Sequence, residues 1–323
     1  MRVLTLTNMY PSADEPFRGI FVAEQVASLR KRGIETDVLF VNGPRSRWNY
    51  LRGVAELRRT LRATSYDLIH AHYVFSGMIA LTQAIYLPAR RRLPIVLTHH
   101  GIEAQRGWTA PLCRWTGRRV TRTIATSRRV QEALRLPGVE IVPCGVDTVL
   151  FRPLPRDEAR AALGLPTATP LILFAAMRRP EKRFDLVTAA VELLRTTRPA
   201  VQLVIAEAEP HERMPFFMNA CDVLILASEG EGSPMVIKEA MACNLPIVSV
   251  DVGDVAEVIG QTAGGTSPIE GCFLAERTPE ALAAGLAQAL DFGGRTAGRE
   301  RIMALSLDAI AGRLEEIYRD VIA

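Results

Sequence analysis

The chain has 323 residues, of which 48% are hydrophobic and 23% are charged. This length allows two domains of ordinary size, and this composition is that of a folded globular protein, so it excludes an intrinsically disordered chain. Residues 1–150 carry 22 Lys and Arg against 11 Asp and Glu, and residues 151–323 carry 17 against 24, so the halves have net charges of +11 and −7.

Short apolar strands alternate with helical stretches through the first half of the chain. The predicted strands cover residues 3–6, 36–41, 68–71, 95–98, 123–125 and 140–142, and the predicted helices cover residues 20–31, 49–61, 76–85 and 128–134. This alternation predicts a parallel sheet with helices on both faces. Such sheets bind ligands at the carboxyl ends of their strands, so the loops that follow the strands are the candidate binding loops.

The second half repeats the alternation after Pro153 and Pro155, where a change of composition predicts a domain boundary. Its predicted strands include residues 171–175, 201–206 and 223–227, and its predicted helices include residues 156–163, 278–290 and 306–322. The last helix has one apolar face, made by Leu307, Ile310, Leu314, Ile317 and Val321.

The five cysteines are scattered and have no C-x-x-C spacing, which argues against a disulfide framework and a cysteine zinc site. The first ten residues lack the apolar length of a secretory signal, and no stretch reaches the length of a transmembrane helix. We therefore expect a cytoplasmic protein.

Residues 228–258 form the most chemically specific stretch of the sequence. After a strand and a glycine-broken acidic turn, Ser233 suits the N-cap of a helix and Pro234 suits its first position. The first turn of that helix has unpaired N–H groups and about half a positive charge, which favours a bound phosphate. Glu239 lies about 7.5 Å further along the helix, close enough to accept hydrogen bonds from the ribose of the same nucleotide. Glu231 lies in the turn.

The spacing of Glu231 and Glu239 resembles the E-x7-E signature of retaining glycosyltransferases of the GT-B fold, family 4. The family usually has an aromatic residue and a glycine where this chain has Ser233 and Pro234. The alternative is a capped helix with two exposed glutamates, but the continuation after Glu239 also resembles the family. The resemblance implies an α/β protein of two Rossmann-like domains that face each other across a cleft. They are an acceptor domain of residues 1–148 and a donor domain of residues 149–305, with the helix of residues 306–323 packing back across the boundary.

Two further segments of the first half resemble the family. The loop from Asn8 resembles the loop over the donor phosphates, where Gly19 would allow close backbone approach to a ligand; a plain loop is the alternative. Four of the five histidines stand at two strand ends, and His100, before Gly101, matches the family's histidine beside the reacting sugar. His72 could equally be a buried structural residue. No carboxylate spacing completes a metal site, so no metal is predicted.

The segment after the strand at residues 171–175 resembles the family's G-R-x-x-x-E-K-G element, whose Arg and Lys bind the donor diphosphate. Lys182 matches the lysine, but Met177 occupies the arginine position, so Arg178 or Arg179 must supply that charge. Positive charge is needed because a diphosphate carries about two negative charges and the chain has no D-x-D pair for a divalent metal. A solvated basic turn is the alternative.

Only sixteen residues separate the strand at residues 201–206 from the strand that begins at Val223. Family members usually have an additional strand and helix here, which contribute most of the nucleobase pocket. The chain therefore resembles a shortened member, in which the base is read by a simpler surface, around residues 209–213, or is bound weakly.

The resemblance implies a metal-independent glycosyltransferase that needs no cofactor and uses a nucleotide-diphosphate sugar as donor and a glycan or lipid-linked acceptor. The implied catalytic residues are His100, Glu231 and Lys182. The implied donor-binding residues are Gly19, Arg178, Arg179, Lys182, Glu231, Gly232, Ser233, Pro234, Met235, Val236 and Glu239. A non-catalytic nucleotide- or glycan-binding relative that acts as an assembly partner and a nucleotide-sugar epimerase are the alternatives.

Arginines are concentrated in the first half of the chain, for example at Arg45, Arg47, Arg52, Arg58, Arg59 and Arg62. Such a surface is expected to contact an anionic membrane peripherally, to attract an acidic acceptor, or to be a solvated face in which arginine is the preferred cation. Nucleic acid is disfavoured as a partner, since no recognised binding motif accompanies the charge.

Overall fold

The structure is a computed structural model that describes residues 1–43, 45–105, 107–261 and 269–323. Those residues form two compact units, Met1–Gly145 with Leu307–Ala323, and Val146–Ser306, which are termed the first and the second unit below. The predicted boundaries followed residues 148 and 305, whereas the units divide after Gly145 and after Ser306.

The first unit is built on a parallel sheet. Within the described residues its strands are β1 (Arg2–Thr7), β2 (Glu35–Phe40), β3 (Leu68–His72), β4 (Ile95–His99), β5 (Arg122–Ala125) and β6 (Glu140–Ile141). They pair in parallel in the order β2-β1-β3-β4-β5-β6. Every residue of β3 and β4 is buried, as expected for central strands covered on both faces. The strand order reverses between β1 and β3, where sheets of this kind bind ligands.

Helices cover this sheet. They are α1 (Ile20–Lys31), α2 (Trp48–Ala63), α3 (Val74–Leu81), α4 (Gln83–Tyr86), α5 (Ile102–Gln105), α6 (Thr109–Gly117) and α7 (Arg128–Leu134), with a 3-10 turn at Ala89–Arg91. The helix predicted over residues 76–85 is divided into α3 and α4. Helices α5 and α6 were not predicted, because α5 is only four residues long and α6 carries a proline at Pro111.

The second unit has its own parallel sheet, in the order β11-β10-β9-β7-β8. Its described strands are β7 (Leu171–Phe174), β8 (Gln202–Ile205), β9 (Val223–Leu226), β10 (Ile247–Val250) and β11 (Cys272–Ala275). Its described helices are α8 (Arg156–Leu163), α9 (Phe184–Arg195), α10 (Met214–Ala220), α11 (Met235–Ala242), α12 (Val255–Val258), α13 (Pro279–Phe292) and α14 (Gly298–Ile302), with 3-10 turns at Pro180–Lys182, His211–Arg213 and Met303–Leu305. Here the order reverses between β7 and β9, and β8 lies at an edge.

The chain ends in α15 (Leu307–Ile322), which belongs to the first unit and packs against α1. The Oγ of Ser28 donates to the carbonyl oxygen of Leu307 at 3.0 Å, and Arg32 makes ion pairs of 2.9 Å with Asp308 and Glu315. The buried residues of α15 are Ile310, Ala311, Leu314, Ile317 and Tyr318. Three of the five residues predicted for its apolar face are therefore buried.

Among the residues that the structure describes, no helix combines the length and the hydropathy that would let it cross a membrane.

Candidate functional site

The candidate donor site of the second unit lies at the carboxyl ends of β7 and β9. The turn Pro180–Lys182 follows β7, and Glu231 lies in the loop after β9. The Nζ of Lys182 donates to the Oε1 of Glu231 at 2.5 Å. The backbone N–H of Glu229 donates to the carbonyl oxygen of Glu181 at 2.8 Å. A side-chain ion pair and a backbone hydrogen bond therefore join the two loops at the point where the strand order reverses.

Helix α11 begins one residue later than predicted. Pro234, predicted as the first helical residue, is the N-cap, with φ −66° and ψ 116°. Ser233, predicted as the N-cap, donates instead from its Oγ to the Oδ2 of Asp254 at 2.6 Å. Within the described chain no side chain caps α11. The N–H groups of Met235 and Val236 at its start are thus available to an anion.

A buried ion pair that was not predicted from the sequence holds the turn before α11. The Nζ of Lys238 lies 3.2 Å from the Oδ2 of Asp254, and the two side chains are 0% and 3% exposed. Lys238 also donates to the Oγ of Ser233. Behind them, Gly253 has φ +58°, and a Cβ there would lie 2.8 Å from the carbonyl oxygen of Gly232. The segment after β10 therefore supports this turn from within the unit.

The other predicted residues of α11 are also partly or wholly inside the unit. The side chains of Met235 and Val236 pack against the hydrophobic core. These residues can therefore contact a phosphate through their backbone N–H groups. Glu239 is 8% exposed. Hydroxyl groups of a ligand could also donate to this carboxylate, because its two oxygens can together accept about four hydrogen bonds.

Arg178 and Arg179 differ in what they contact. The backbone N–H and the Nε of Arg178 donate to the two carboxylate oxygens of Glu207 at 2.7 and 2.5 Å. These contacts lower the pKa of Glu207. The guanidinium of Arg178 also lies 5.6 Å from the centre of the Phe184 ring. Arg179 is exposed, and the described residues give it no ion pair. Arg179 is therefore the better placed of the two to meet an added anion.

Two further arginines, which were not predicted as site residues, lie beside the site. Arg183, next to Lys182, makes an ion pair of 3.2 Å with Glu229. Arg277 follows β11 and donates from its Nη2 to the carbonyl oxygen of Ser228 at 3.0 Å. Arg277 could have been found, because the rule that ligands bind after strands applies to β11 as much as to β7.

The histidines of the first unit form one chain of contacts. The Nδ1 of His72 lies 2.9 Å from the Nε2 of His100, whose Nδ1 lies 3.8 Å from the Sγ of Cys144. His70 contacts the hydroxyl of Tyr318 at 2.5 Å and that of Thr98 at 2.8 Å. His70 and His72 are fully buried, whereas His100 keeps part of its surface exposed.

Burial holds these rings in the neutral form. It lowers the pKa of His72 to about 3. Burial, and next the charges of neighbouring histidines, lower the pKa values of His70 and His100 well below their usual range. A neutral ring can donate from one nitrogen and accept at the other, so His100 is suited to hydrogen bonding rather than to carrying charge.

One group of side chains in the described residues has the spacing of metal ligands. The ligand atoms of His99, Glu103 and Cys113 lie within 4.8 Å of one another. However, Glu103 is 3.3 Å from the Nδ1 of His99 and also accepts from the N–H of Val74 at 3.0 Å. The thiol of Cys113 donates to the carbonyl oxygen of Glu103 at 3.4 Å. Each of the three side chains is thus engaged by a hydrogen bond within the unit, and no metal is assigned to the cluster.

Gly19 and Tyr73 have unusual backbone conformations at the carboxyl edge of the first sheet. Gly19 is the N-cap of α1 with φ +71°, and a Cβ there would collide with the backbone of Met9 and Tyr10. The conformation of this loop therefore requires a glycine at position 19 whether or not a ligand approaches it. Tyr73 follows β3 with φ +70°, and its ring lies 4.7 Å from that of His100. Strain of this kind in a non-glycine residue is concentrated at functional sites, and no sequence signal marks it.

The short segment between β8 and β9 contains the turn His211–Arg213 and helix α10. The ring of His211 lies 5.2 Å from that of Phe151, and Arg213 makes an ion pair of 3.0 Å with Glu209. Helix α10 buries Phe217 and Met218. The segment thus covers part of the hydrophobic core of the second unit.

Comparison with known proteins gives consistent results for both halves. Residues 5–150 match the model of Glycosyltransferase Family 4, and residues 206–291 match that of Glycosyl transferases group 1. The chain is 29% identical over 398 residues to the alpha-maltose-1-phosphate synthase of Mycolicibacterium smegmatis, with 100% of both chains covered.

Two solved structures show the same fold. Sucrose-phosphate synthase from Thermosynechococcus elongatus has a TM-score of 0.78 and 20% identity, with 99% of each chain covered. The Anabaena protein HepE in complex with UDP and glucose has a TM-score of 0.75 and 17% identity, again with 99% of each chain covered. The two parallel-sheet units are thus those of the GT-B fold, and the chain is a glycosyltransferase that belongs to the family 4 type.

Proposed function

We propose that the chain transfers a sugar from a nucleotide-diphosphate sugar to a hydroxyl group of a glycan or a lipid-linked acceptor, with retention of the anomeric configuration and without a metal ion or other cofactor. The observation that carries the proposal is the 2.5 Å contact between Lys182 and Glu231. It brings a cation for a diphosphate and a carboxylate for sugar hydroxyls together, beside the start of α11.

Three side chains and two backbone N–H groups of this site have separate roles in the proposed reaction. Lys182 stabilises the negative charge that develops on the leaving diphosphate, and this lowers the barrier to transfer. The N–H groups of Met235 and Val236 add partial positive charge to the same phosphates. Glu231 accepts hydrogen bonds from the sugar, and Glu239 accepts them from the ribose.

In the first unit, we propose that His100 contacts the transferred sugar and that the backbone at Gly19 lies beside the donor phosphates. His100 is partly exposed, and burial and neighbouring histidines keep its ring neutral. Its Nδ1 could therefore accept a hydrogen bond from a sugar hydroxyl in place of the long, 3.8 Å contact with the Sγ of Cys144.

Retention is proposed to occur without a covalent sugar–enzyme intermediate. A double displacement requires a carboxylate that is free to attack, and Glu231 is bound to Lys182 while Glu239 is buried. We propose that an oxygen of the departing phosphate accepts the proton of the acceptor hydroxyl. Metal independence is supported by Glu229 and Glu231, the carboxylates of this loop, because both are paired with cationic side chains.

UDP-glucose is the first donor to test, since HepE was solved with UDP and glucose. We propose that the base is read by the surface around residues 209–213. The shortness of this segment supports weak discrimination between bases, because few side chains are available to contact a base.

We propose a cytoplasmic location, with peripheral contact of the basic first half at the anionic inner face of a membrane. All five cysteines are free, which suits a reducing compartment. The net charge of +11 on residues 1–150 suits an anionic surface.

The proposal is tested by incubating the chain with UDP-, GDP- and ADP-sugars and candidate acceptors, with and without EDTA, and by identifying the anomer of the product by NMR. We expect a glycoside with the anomeric configuration of the donor and the same yield in EDTA. An inverted product would contradict retention, and a yield abolished by EDTA would contradict metal independence. An epimerised donor without a glycoside would show an epimerase, and donor binding without turnover would show a binding protein.

A further inference from the structure

The outward side of α2 is a feature of the first unit that the proposed reaction does not use. Helix α2 buries Gly53 and Leu57, whereas a second set of its residues recurs at intervals of three or four along another side. Because that spacing places side chains on one face of a helix, they form a continuous stripe. Its members are Trp48, Leu51, Ala55, Arg58, Arg59 and Arg62.

Large apolar side chains on this stripe are strongly exposed. Trp48 is 71% and Leu51 is 63% exposed, and Ile85 of the adjacent helix α4 is 83% exposed. Leu51 and Ile85 line one concavity of about 730 Å³, together with Arg58, Arg59, Arg62 and Tyr86. Single exposed apolar residues need no explanation, but a cluster of them that borders a basic concavity indicates an interaction surface. The stripe, with Ile85 and Tyr86, is termed the α2 face.

The positive charge of the α2 face is largely uncompensated. Helix α2 contains four arginines and one acidic residue, Glu56. The guanidinium of Arg58 lies 5.7 Å from the centre of the Tyr86 ring. In the part of the chain that the structure describes, Arg59 and Arg62 have no ion pair. An occupant of this face must therefore bring negative charge together with an apolar layer.

We propose that the α2 face docks on the surface of an anionic lipid bilayer. Trp48, Leu51 and Ile85 enter the boundary between headgroups and acyl chains, where Trp is favoured, and the arginines contact lipid phosphates through guanidinium groups on stems that can lie along apolar surface. A second copy of this chain is disfavoured as the occupant, since a two-fold contact would place two basic stripes against each other.

This inference deepens the peripheral contact proposed above and names its face. The test measures lipid binding without sugar transfer, so its failure would leave the proposed reaction standing. The protein is sedimented with vesicles of phosphatidylcholine alone and with vesicles in which phosphatidylglycerol replaces a third of the lipid. We expect binding to the anionic vesicles only, with weakening at high salt because the charges are exposed.

Two matched pairs of variants locate the contact. Arg59→Glu is compared with Arg313→Glu, which makes the same charge change at an exposed position of α15. We expect Arg59→Glu to weaken binding about tenfold or more, since each charge near such a surface contributes on the order of 1 kcal/mol, and Arg313→Glu to change it little. Ile85→Ala is expected to weaken binding about fivefold, whereas Val149→Ala, at a position 82% exposed in the second unit, leaves it unchanged.

Three outcomes would overturn the proposal. They are equal binding to both kinds of vesicle, equal losses for Arg59→Glu and Arg313→Glu, and a self-association in lipid-free solution that Ile85→Ala abolishes. The last would show that a second copy covers the face.

Discussion

The Nζ of Lys238 lies 3.2 Å from the Oδ2 of Asp254 where water has almost no access to either side chain. The pair connects α11 with the turn before α12, and Ser233 joins it by hydrogen bonds to both partners. The turn that carries Glu231 is therefore fixed by a buried charged group as well as by its own backbone.

Loss of Lys238 should destabilise the second unit strongly. Lys238→Met leaves the carboxylate of Asp254 buried without its cation, and breaking a buried pair in this way costs about 3–5 kcal/mol. We expect the free energy of unfolding to fall by that amount in urea titrations followed by far-UV circular dichroism. Arg198→Met is the control, because its pair with Asp291 is at the surface and should be worth less than about 1 kcal/mol. Equal losses in the two variants would refute a special role of the buried pair.

Lys182→Met should lower turnover far more than donor affinity. The proposed role of Lys182 is to stabilise charge that appears only as the diphosphate leaves, and removing one such group costs on the order of 100-fold or more in kcat. Steady-state kinetics with the best donor of the panel should show this fall with a smaller change in KM. Lys31→Met, at an exposed position of α1, should behave as the parent protein. A KM effect without a kcat effect would show that Lys182 only binds the donor.

Glu239→Ala should weaken donor binding. A carboxylate that accepts both ribose hydroxyls makes charged hydrogen bonds, and their loss should cost about 1.5–3 kcal/mol, or roughly 10- to 100-fold in Kd. Calorimetry with the nucleoside diphosphate measures the change directly, and Glu280→Ala, at an exposed position in the first turn of α13, is the control. An unchanged Kd for Glu239→Ala would contradict the proposed contact between Glu239 and the ribose.

The first unit should lose stability in mild acid. The pKa of His72 is about 3 in the folded chain and about 6.5 in the unfolded chain. As the pH falls through this interval, the unfolded chain takes up a proton that the folded chain does not, so stability is complete above about pH 6.5 and falls below it. His72 alone should cost about 2 kcal/mol at pH 5. His70 and His100 act in the same direction.

The measurement can be confined to the first unit, because it contains all three tryptophans, Trp48, Trp108 and Trp115. Urea unfolding followed by tryptophan fluorescence at pH 7.5 and pH 5 gives the pH dependence. His72→Gln should reduce that dependence, whereas His211→Gln, in the second unit, should preserve it. A parent protein equally stable at both pH values would contradict the buried neutral state.

The sheets were predictable from sequence because central parallel strands are buried on both faces and therefore appear as short continuous apolar runs. Each strand predicted in the first half lies within one residue of its observed bounds. Helix α9 was not predicted, although its sequence contains apolar residues at helical spacing. They are Val187, Ala190, Val191 and Leu194, and this helix could therefore have been predicted. For α11, the prediction placed Ser233 at the N-cap because local rules favour serine there. The structure differs because Asp254, twenty-one residues away, binds the hydroxyl.

Donor-site residues were predictable only where the residue type and its neighbours in the sequence indicate the function. Glu231, Glu239 and Lys182 lie in recognisable segments, and the structure joins Glu231 to Lys182. Lys238 could not be identified as buried, since a lysine in a helix is ordinarily exposed, and its burial depends on a partner from another loop. The positive φ of Tyr73 likewise could not be predicted, because tyrosine rarely adopts that conformation.

The chain contains 36 arginines and only three lysines, Lys31, Lys182 and Lys238. Because arginine does not react with amine-directed acylating reagents, these three side chains and the amino terminus are the only amines that such a reagent can modify. Lys238 is buried, and the side chain of Lys182 is 26% exposed. Protection of Lys182 from acylation, measured by mass spectrometry relative to Lys31, therefore reports on occupancy of the donor site without an engineered probe. Because lysine is so scarce, acylation of one side chain can be followed as a direct measure of ligand binding in this protein.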